Sequence, residues 1–230
     1  MKSRQFVKVL YEDKDLLIVD KPVGVLSEPK HGSPSPDLVR MVKGYLGRKY
    51  KGAKNSYVAL LHRLDKETSG AIVVALSKAG EGLENDFRNH RVNRQYLAVV
   101  EGAIGDQRGR IDFPLEKGDF KFGIKVREAE TGGKKALTIF EVIERYPHAT
   151  LVRVTVQTGR THQVRVHLSG IGHPLVGDKI YGAGRIPFKR QALHAQVLGF
   201  RHPRTGKKIR VESPIPGDIK KLIDWLRENV

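Results

Sequence analysis

Short apolar runs separated by polar turns open the chain. Residues 6–11 and 16–19 flank Glu12-Asp13-Lys14-Asp15 and predict a β-hairpin. Lys21-Pro22-Val23-Gly24 ends the second strand, because proline removes a ladder donor and glycine loosens the backbone. Leu38, Val39, Val42 and Leu46 lie near helical spacing and predict a helix from Ser35, as N-cap, to Leu46. A basic loop over residues 47–54 follows. Residues 57–61 and 71–76 read as strands on either side of the polar stretch 62–70, which is expected as a loop at the sheet's edge.

Leu83 and Phe87, four positions apart, predict a helix over residues 77–90, weakened early by Gly80 and Gly82. A strand returns over residues 96–100. Residues 136–144 and 150–157 form the clearest hairpin: Leu137 and Ile139 alternate with Thr138 and Phe140, and Leu151 and Arg153 with Val152, Val154 and Val156. Both of its faces are expected to be partly buried. Helical patterns recur over residues 161–169, 191–198 and 218–229, the last with Leu222, Ile223, Trp225 and Leu226 inward. Antiparallel strands interrupted by helices predict an α+β fold with a mixed, mainly antiparallel sheet flanked by helices. Neither GxGxxG nor GxxxxGK[ST] occurs, which disfavours a doubly wound nucleotide fold. One domain over residues 1–230 is the simplest division of this length.

Charge adds a partner to this picture. Lys and Arg number 42 against 25 Asp and Glu, a formal net charge of +17. Such a field attracts phosphate backbones through counterion release, although an anionic membrane or simple solubility would use it too. The absence of cysteine excludes disulfides, thiolate zinc sites and a cysteine nucleophile, and fits a reducing cytoplasm. The longest apolar stretch, residues 71–76, is far too short to cross a bilayer, and the amino end lacks a signal-peptide run. No membrane association is expected.

Two polar segments could carry chemistry. His62-Arg63-Leu64-Asp65-Lys66-Glu67-Thr68-Ser69-Gly70 packs imidazole, guanidinium and carboxylate groups between two strands. The same stretch also fits an ordinary charged turn with Asp65 capping the backbone. Residues 157–167 follow a strand and start a helix, where backbone amides beside Arg160 would cradle a phosphate, or where Thr161 would simply cap the helix. His162 and His167 are five apart, unlike the HExxH zinc helix, so no metal is assigned. Tyr96 reads locally as strand packing, and the basic residues 201–210 as a solvated hairpin able to touch phosphates.

Taken in order, these segments resemble the motifs of the RluA-type RNA pseudouridine synthases. Residues 12–24 look like the amino-terminal motif, His62 to Gly70 like the central one, and Arg94-Gln95-Tyr96 with residues 97–102 like the tyrosine motif. Residues 158–165, His173-Pro174-Leu175-Val176-Gly177-Asp178 and Leu193-His194-Ala195 continue the series. The chain enters its first motif almost at once, so the small amino-terminal RNA-binding domain of many relatives is not expected.

The resemblance implies a single pseudouridine synthase catalytic domain, with Asp65 as the essential carboxylate, Arg165 as its charge partner and Tyr96 stacking on the base and removing the C5 proton. Leu193 would wall the pocket and Arg63 would support a flipped nucleotide. His62, Arg160, His162 and Gln163 complete the expected substrate-binding set. No cofactor is implied, because the reaction rearranges one glycosidic bond without adding or removing atoms. Ribosomal or transfer RNA is the expected partner, with DNA not expected, a monomer as the assembly and the cytoplasm as the location. A non-catalytic RNA-binding or ribosome-assembly protein on the same scaffold is the competing reading, and a nuclease using His62 or His162 a third.

Overall fold

The computed structural model describes residues 7–29, 32, 35–50, 57–120, 123–129, 131–182 and 184–229. Phe6 and residues 51–54 of the basic loop lie outside the described residues. The elements in chain order are β1 (Lys8–Glu12), β2 (Leu16–Lys21), α1 (Leu38–Lys49), β3 (Ala59–Leu60), β4 (Ser69–Ala75), α2 (Lys78–Glu81), α3 (Leu83–Arg88) and β5 (Asn93–Glu101). Then follow β6 (Arg108–Ile111), β7 (Leu115–Phe120), β8 (Gly123–Glu128), β9 (Thr138–Tyr146), β10 (Ala149–Val156), α4 (Gln163–Gly170), β11 (Leu193–Arg201), β12 (Lys208–Glu212) and α5 (Gly217–Glu228). This is the expected α+β architecture, a mixed, mainly antiparallel sheet with helices. Among the described residues no helix is long and apolar enough to cross a membrane.

The chain divides into two compact units, Met1–Val92 with Ala195–Pro214, and Asn93–His194 with Ile215–Val230. The first unit orders its strands β1-β2-β4-β11, with β3 on β4 and β12 on β11. Leu16 and Ile18 of β2 pack with Ala71, Val73 and Ala75 of β4 and with Leu83 and Phe87 of α3. The β1–β2 turn is an acidic hub. Glu12 accepts from Tyr45 (2.6 Å), Lys49 (2.6 Å) and Tyr50 (2.9 Å) at the carboxyl end of α1. Asp15, only 1 % exposed, accepts two bonds from Arg204 (2.6 Å each) and one from Ser77 (2.6 Å). Arg204 holds the Asp15 carboxyl well below the usual carboxylate range, against the opposing effect of burial. Beside it, His202 Nδ1 accepts from the Arg204 and Thr205 amides while Nε2 faces Asp13 at 2.9 Å. Asp13, Asp15 and His202 thus clasp two turns together.

The second unit orders its strands β5-β10-β9-β6, and β7 pairs with β8. Alternation along β5 and β10 serves two cores. Ala98, Val100, Val152 and Val154 pack with Val164 and Leu168 of α4, whereas Leu97, Val99 and Leu151 pack with Ile219, Leu222, Ile223 and Leu226 of α5. Both faces of the hairpin predicted at residues 136–157 are therefore partly buried, with Ile139 and Ile143 of β9 left exposed.

Several local expectations change. Residues 193–198, expected as part of a helix, belong to β11, since a short apolar run suits either form and the place of β11 beside β4, with β12 joining from Val197 opposite Glu212, decides. Asp37, not Ser35, caps α1 by accepting from the Arg40 amide at 2.9 Å, and the helix runs on to Lys49. The helix expected over residues 77–90 splits at Gly82, with Ser77 capping its first piece. Trp225 is 47 % exposed rather than inward, because it sits at the margin of the stripe formed by Ile219, Leu222, Ile223 and Leu226. The hairpin expected over residues 201–210 joins β11 to β12, with Arg201 opposite Lys208, whereas strands β6, β7 and β8 arise in charged segments that carry too few apolar residues to announce them.

Gly70 adopts φ +118°, and a Cβ there would run into the backbone carbonyl of Ala195. Gly70→Ala is expected to destabilise the protein by at least about 1–3 kcal/mol. Urea unfolding measures this, and an unchanged midpoint would refute the close approach.

Candidate active site

In the first unit, the stretch between β3 and β4 is held by its backbone. Lys21, wholly buried at the end of β2, donates through Nζ to the carbonyls of Val25 (2.8 Å), Pro22 (3.1 Å) and Lys66 (3.2 Å). The Lys66 carbonyl also accepts from the Gly24 amide at 2.9 Å, where Gly24 takes φ +80°. Ser27 Oγ accepts from the Leu64 amide (3.0 Å) and donates to the Leu64 carbonyl (2.7 Å), so one buried hydroxyl satisfies both polar groups of the residue preceding Asp65. The Asp65 carbonyl accepts from the Thr68 amide at 3.0 Å and closes a turn. Backbone anchors on both sides thus hold the half-buried Asp65.

The neighbours of Asp65 differ in kind. His62 stacks on Phe87 with ring centroids 4.6 Å apart, and its Nε2 accepts from the Val73 amide at 3.2 Å, which leaves Nδ1 to carry the proton of the neutral ring. The imidazole therefore supports β4 and the loop. Arg63 extends into solvent, its side chain 73 % exposed, and touches Glu28 at 2.7 Å. Exposed pairs of this type are weak, so Arg63 is easily recruited by a stronger anion.

In the second unit, half-buried Tyr96 stands opposite Val154 on β5 and packs against the cluster that includes Leu193 and Leu168. Arg94, two residues earlier, is buried and reaches the Gln157 carbonyl at 3.4 Å. Burial lowers the Arg94 pKa, while Tyr96 acts in the opposite direction. Gly159 leaves room for it, since a Cβ there would lie 2.7 Å from Arg94 Nη1.

Arg165 on α4 forms a two-pronged buried pair with Asp178, Nε to Oδ2 at 2.7 Å and Nη2 to Oδ1 at 2.8 Å, with the Tyr181 ring 5.0 Å away. Burial alone would raise the Asp178 pKa; Arg165 and the amides of Ile180 and Tyr181 outweigh it and hold the carboxyl below its ordinary value. His162, not Thr161, caps α4, in a left-handed conformation at φ +55°, with Nδ1 3.0 Å from the Tyr181 hydroxyl. Gln163 is buried among partners of its own unit. Its Oε1 accepts from Thr158 (2.7 Å) and the Arg160 amide (3.0 Å), and its Nε2 donates to Leu137 and Thr138 (3.0 Å each). Arg160 Nε donates to the Lys135 carbonyl at 3.0 Å.

The expected residues therefore fall in two sets: His62, Arg63 and Asp65 on the loop of the first unit, and Tyr96, Arg160, His162, Gln163, Arg165 and Leu193 in the second. Sequence reading overlooked Lys21, Ser27 and Tyr181 and gave Asp178 no role. Lys21 and Asp178 were visible inside quoted motifs, but neither reveals its partner from local spacing.

Comparison with known proteins gives this geometry a context. A family described as RNA pseudouridylate synthase matches residues 15–170. The Bacillus subtilis protein named uncharacterized RNA pseudouridine synthase YlyB is 42% identical, covering 96% of this chain and 73% of its own. The Zymomonas mobilis ribosomal large subunit pseudouridine synthase D is 36% identical with the same coverage of each chain. The solved structure of human RNA pseudouridylate synthase domain containing 1 aligns with a TM-score of 0.74 at 28% identity, over 99% of this chain and 97% of its own.

Ser27→Ala is expected to lower stability by about 1–3 kcal/mol, because it strands buried polar groups of Leu64. Equal unfolding midpoints for wild type and variant would refute this. Asp178→Asn is expected to cost about 3–5 kcal/mol near pH 7 by removing the carboxylate from the buried Nε–Nη2 edge of Arg165. Because the folded Asp178 pKa is lowered, that contribution is complete above the unfolded carboxylate range, about pH 4, and disappears as pH falls through the folded value. The difference between the two unfolding curves should shrink on acidification; a constant difference contradicts the assignment.

Proposed function

The chain belongs to the RNA pseudouridylate synthase family, and from that premise we propose that Asp65 is the carboxylate through which it isomerises uridine in RNA to pseudouridine. The single observation carrying the assignment is the bracing of the residues around Asp65 by Lys21, Gly24 and Ser27, which presents one carboxylate on a rigid backbone between two strands. Such bracing is what a group needs when it must meet a sugar carbon in one orientation.

The reaction breaks the bond from uracil N1 to ribose C1′, turns the base, joins C5 to C1′ and moves the C5 proton to solvent while N1 gains one. Asp65 either attacks C1′ or assists elimination at the sugar, and both routes need it ionised. We assign Arg165 as the cation that keeps it so. Asp178 engages the Nε–Nη2 edge of that guanidinium and fixes its orientation. Tyr96 then stacks on the base and takes the C5 proton, with Leu193 in the apolar wall. A paired uridine must leave its stack, at a cost of about a few kcal/mol, and Arg63 fits the vacated position because it is exposed and only weakly held by Glu28. Arg160, His162 and Gln163 shape the start of α4 beside the substrate.

The substrate in this reading is ribosomal or transfer RNA; the name of the Zymomonas relative favours the large ribosomal subunit. Both units form one catalytic domain acting as a cytoplasmic monomer, on RNA rather than DNA.

Asp65→Asn is expected to abolish tritium release from RNA labelled at uridine C5 while retaining RNA binding. Undiminished release would remove Asp65 from the chemistry and favour a scaffold that only binds RNA.

A further inference from the structure

Helix α1 is basic along its length and carries no acidic residue. Its buried side holds Leu38, Val42 and Leu46, and Tyr45 and Lys49 on that side are engaged by Glu12. At about 100° per residue, Arg40, Lys43, Gly44, Gly47 and Arg48 share the opposite side. Among the described residues, Arg40 is 80 % exposed and pairs with Asp37 at the helix start, while Lys43 and Arg48 are exposed and have no ion-pair partner. The cation at the carboxyl end that the fold uses, Lys49, is thus separate from those it leaves available.

The two glycines between these cations add an independent observation. A Cβ at Gly47 would meet nothing within 4 Å, and one at Gly44 would meet only Arg48 Nη1 at an ordinary 3.4 Å. Neither takes a left-handed φ. Internal packing therefore accepts alanine at both, and alanine is the better helix former. What glycine offers here is close approach of the helix backbone to something outside the protein.

The helix is also tied to the catalytic loop. Leu26 donates to the Pro36 carbonyl (2.9 Å) and accepts from the Leu38 amide (2.8 Å), and the next residue, Ser27, grips Leu64. Two adjacent residues thus connect the start of α1 to the position before Asp65.

We propose that the exposed side of α1 docks the sugar–phosphate backbone of the substrate RNA beside the target uridine, with Arg40, Lys43 and Arg48 on phosphates and the strand lying close over Gly44 and Gly47. The proposal rests on the reading of the chain as an RNA-modifying enzyme. A membrane does not fit, because the apolar stripe such a helix would insert is buried in the unit's core.

The test combines steady-state kinetics with the salt dependence of RNA binding. Lys43→Ala/Arg48→Ala is expected to raise KM and leave kcat near wild type. It should also reduce the slope of log affinity against log salt by about 1.4–1.8, the value for two lost phosphate contacts. Lys220→Ala/Lys221→Ala removes equal charge from α5 and should leave the slope unchanged. Gly47→Ala should raise the melting temperature yet also raise KM, a divergence that a purely structural role would not produce. Wild-type KM and slope in the Lys43/Arg48 variant would overturn the docking surface, as would polyglutamate binding as tightly as RNA and losing its affinity in that variant. Absence of tritium release by the wild-type protein would instead overturn the enzymatic reading.

Discussion

The arrangement around Asp65 depends on one buried ammonium. A charge removed from water must be met by hydrogen-bond partners, and Lys21 meets this need by drawing in the carbonyls of Pro22, Val25 and Lys66. In doing so it bends the chain after β2 toward the loop before β4. Gly24, with its left-handed backbone, completes the approach, and Ser27 then stands where its hydroxyl can replace a missing strand partner for Leu64. Asp65 inherits its rigidity from these neighbours.

The strongly positive composition separates into two populations of cations. Lys49 and Arg204 close the acidic turn between β1 and β2 onto α1 and onto the turn after β11, and Arg165, Arg190 and Arg227 bind Asp178, Asp218 and Glu144 within the second unit. These make architecture. Lys43 and Arg48 are exposed with no acidic partner among the described residues, which is how a protein with excess positive charge keeps part of it for a polyanion. Net charge is a statement about partners only once the internally paired cations have been distinguished from the rest.

The start of α4 shows how one short segment can be organised for two tasks. Gln163 ties Thr158, Arg160, Leu137 and Thr138 into one network, which lets the chain turn sharply from β10 into the helix. His162 takes the left-handed conformation that the turn requires, and Arg165 lies one helical step further on, oriented by Asp178. A residue such as Gln163 thereby sets the shape of its neighbours through hydrogen bonds alone.

The sequence by itself determined what local pattern can express. Alternation along residues 136–157, the polar loop between the strands holding Leu60 and Ala71, the closing amphipathic helix and the ordered motifs around Asp65, Tyr96 and Arg165 were all readable, together with the α+β class. Only the tertiary structure decided where pattern is ambiguous or partners are distant. Leu193 to Leu198 became a strand because β11 takes its place in the sheet beside β4 and pairs with β12 from Val197 onward, and Trp225 moved outward because the core stops at Leu222 and Leu226. Ser27 acquired its meaning from Leu64, 37 positions away, and Lys21 from Lys66, 45 positions away. Periodicity encodes which face of an element seeks burial, but a hydrogen-bond partner is chosen by the folded backbone, and that choice has no local signature.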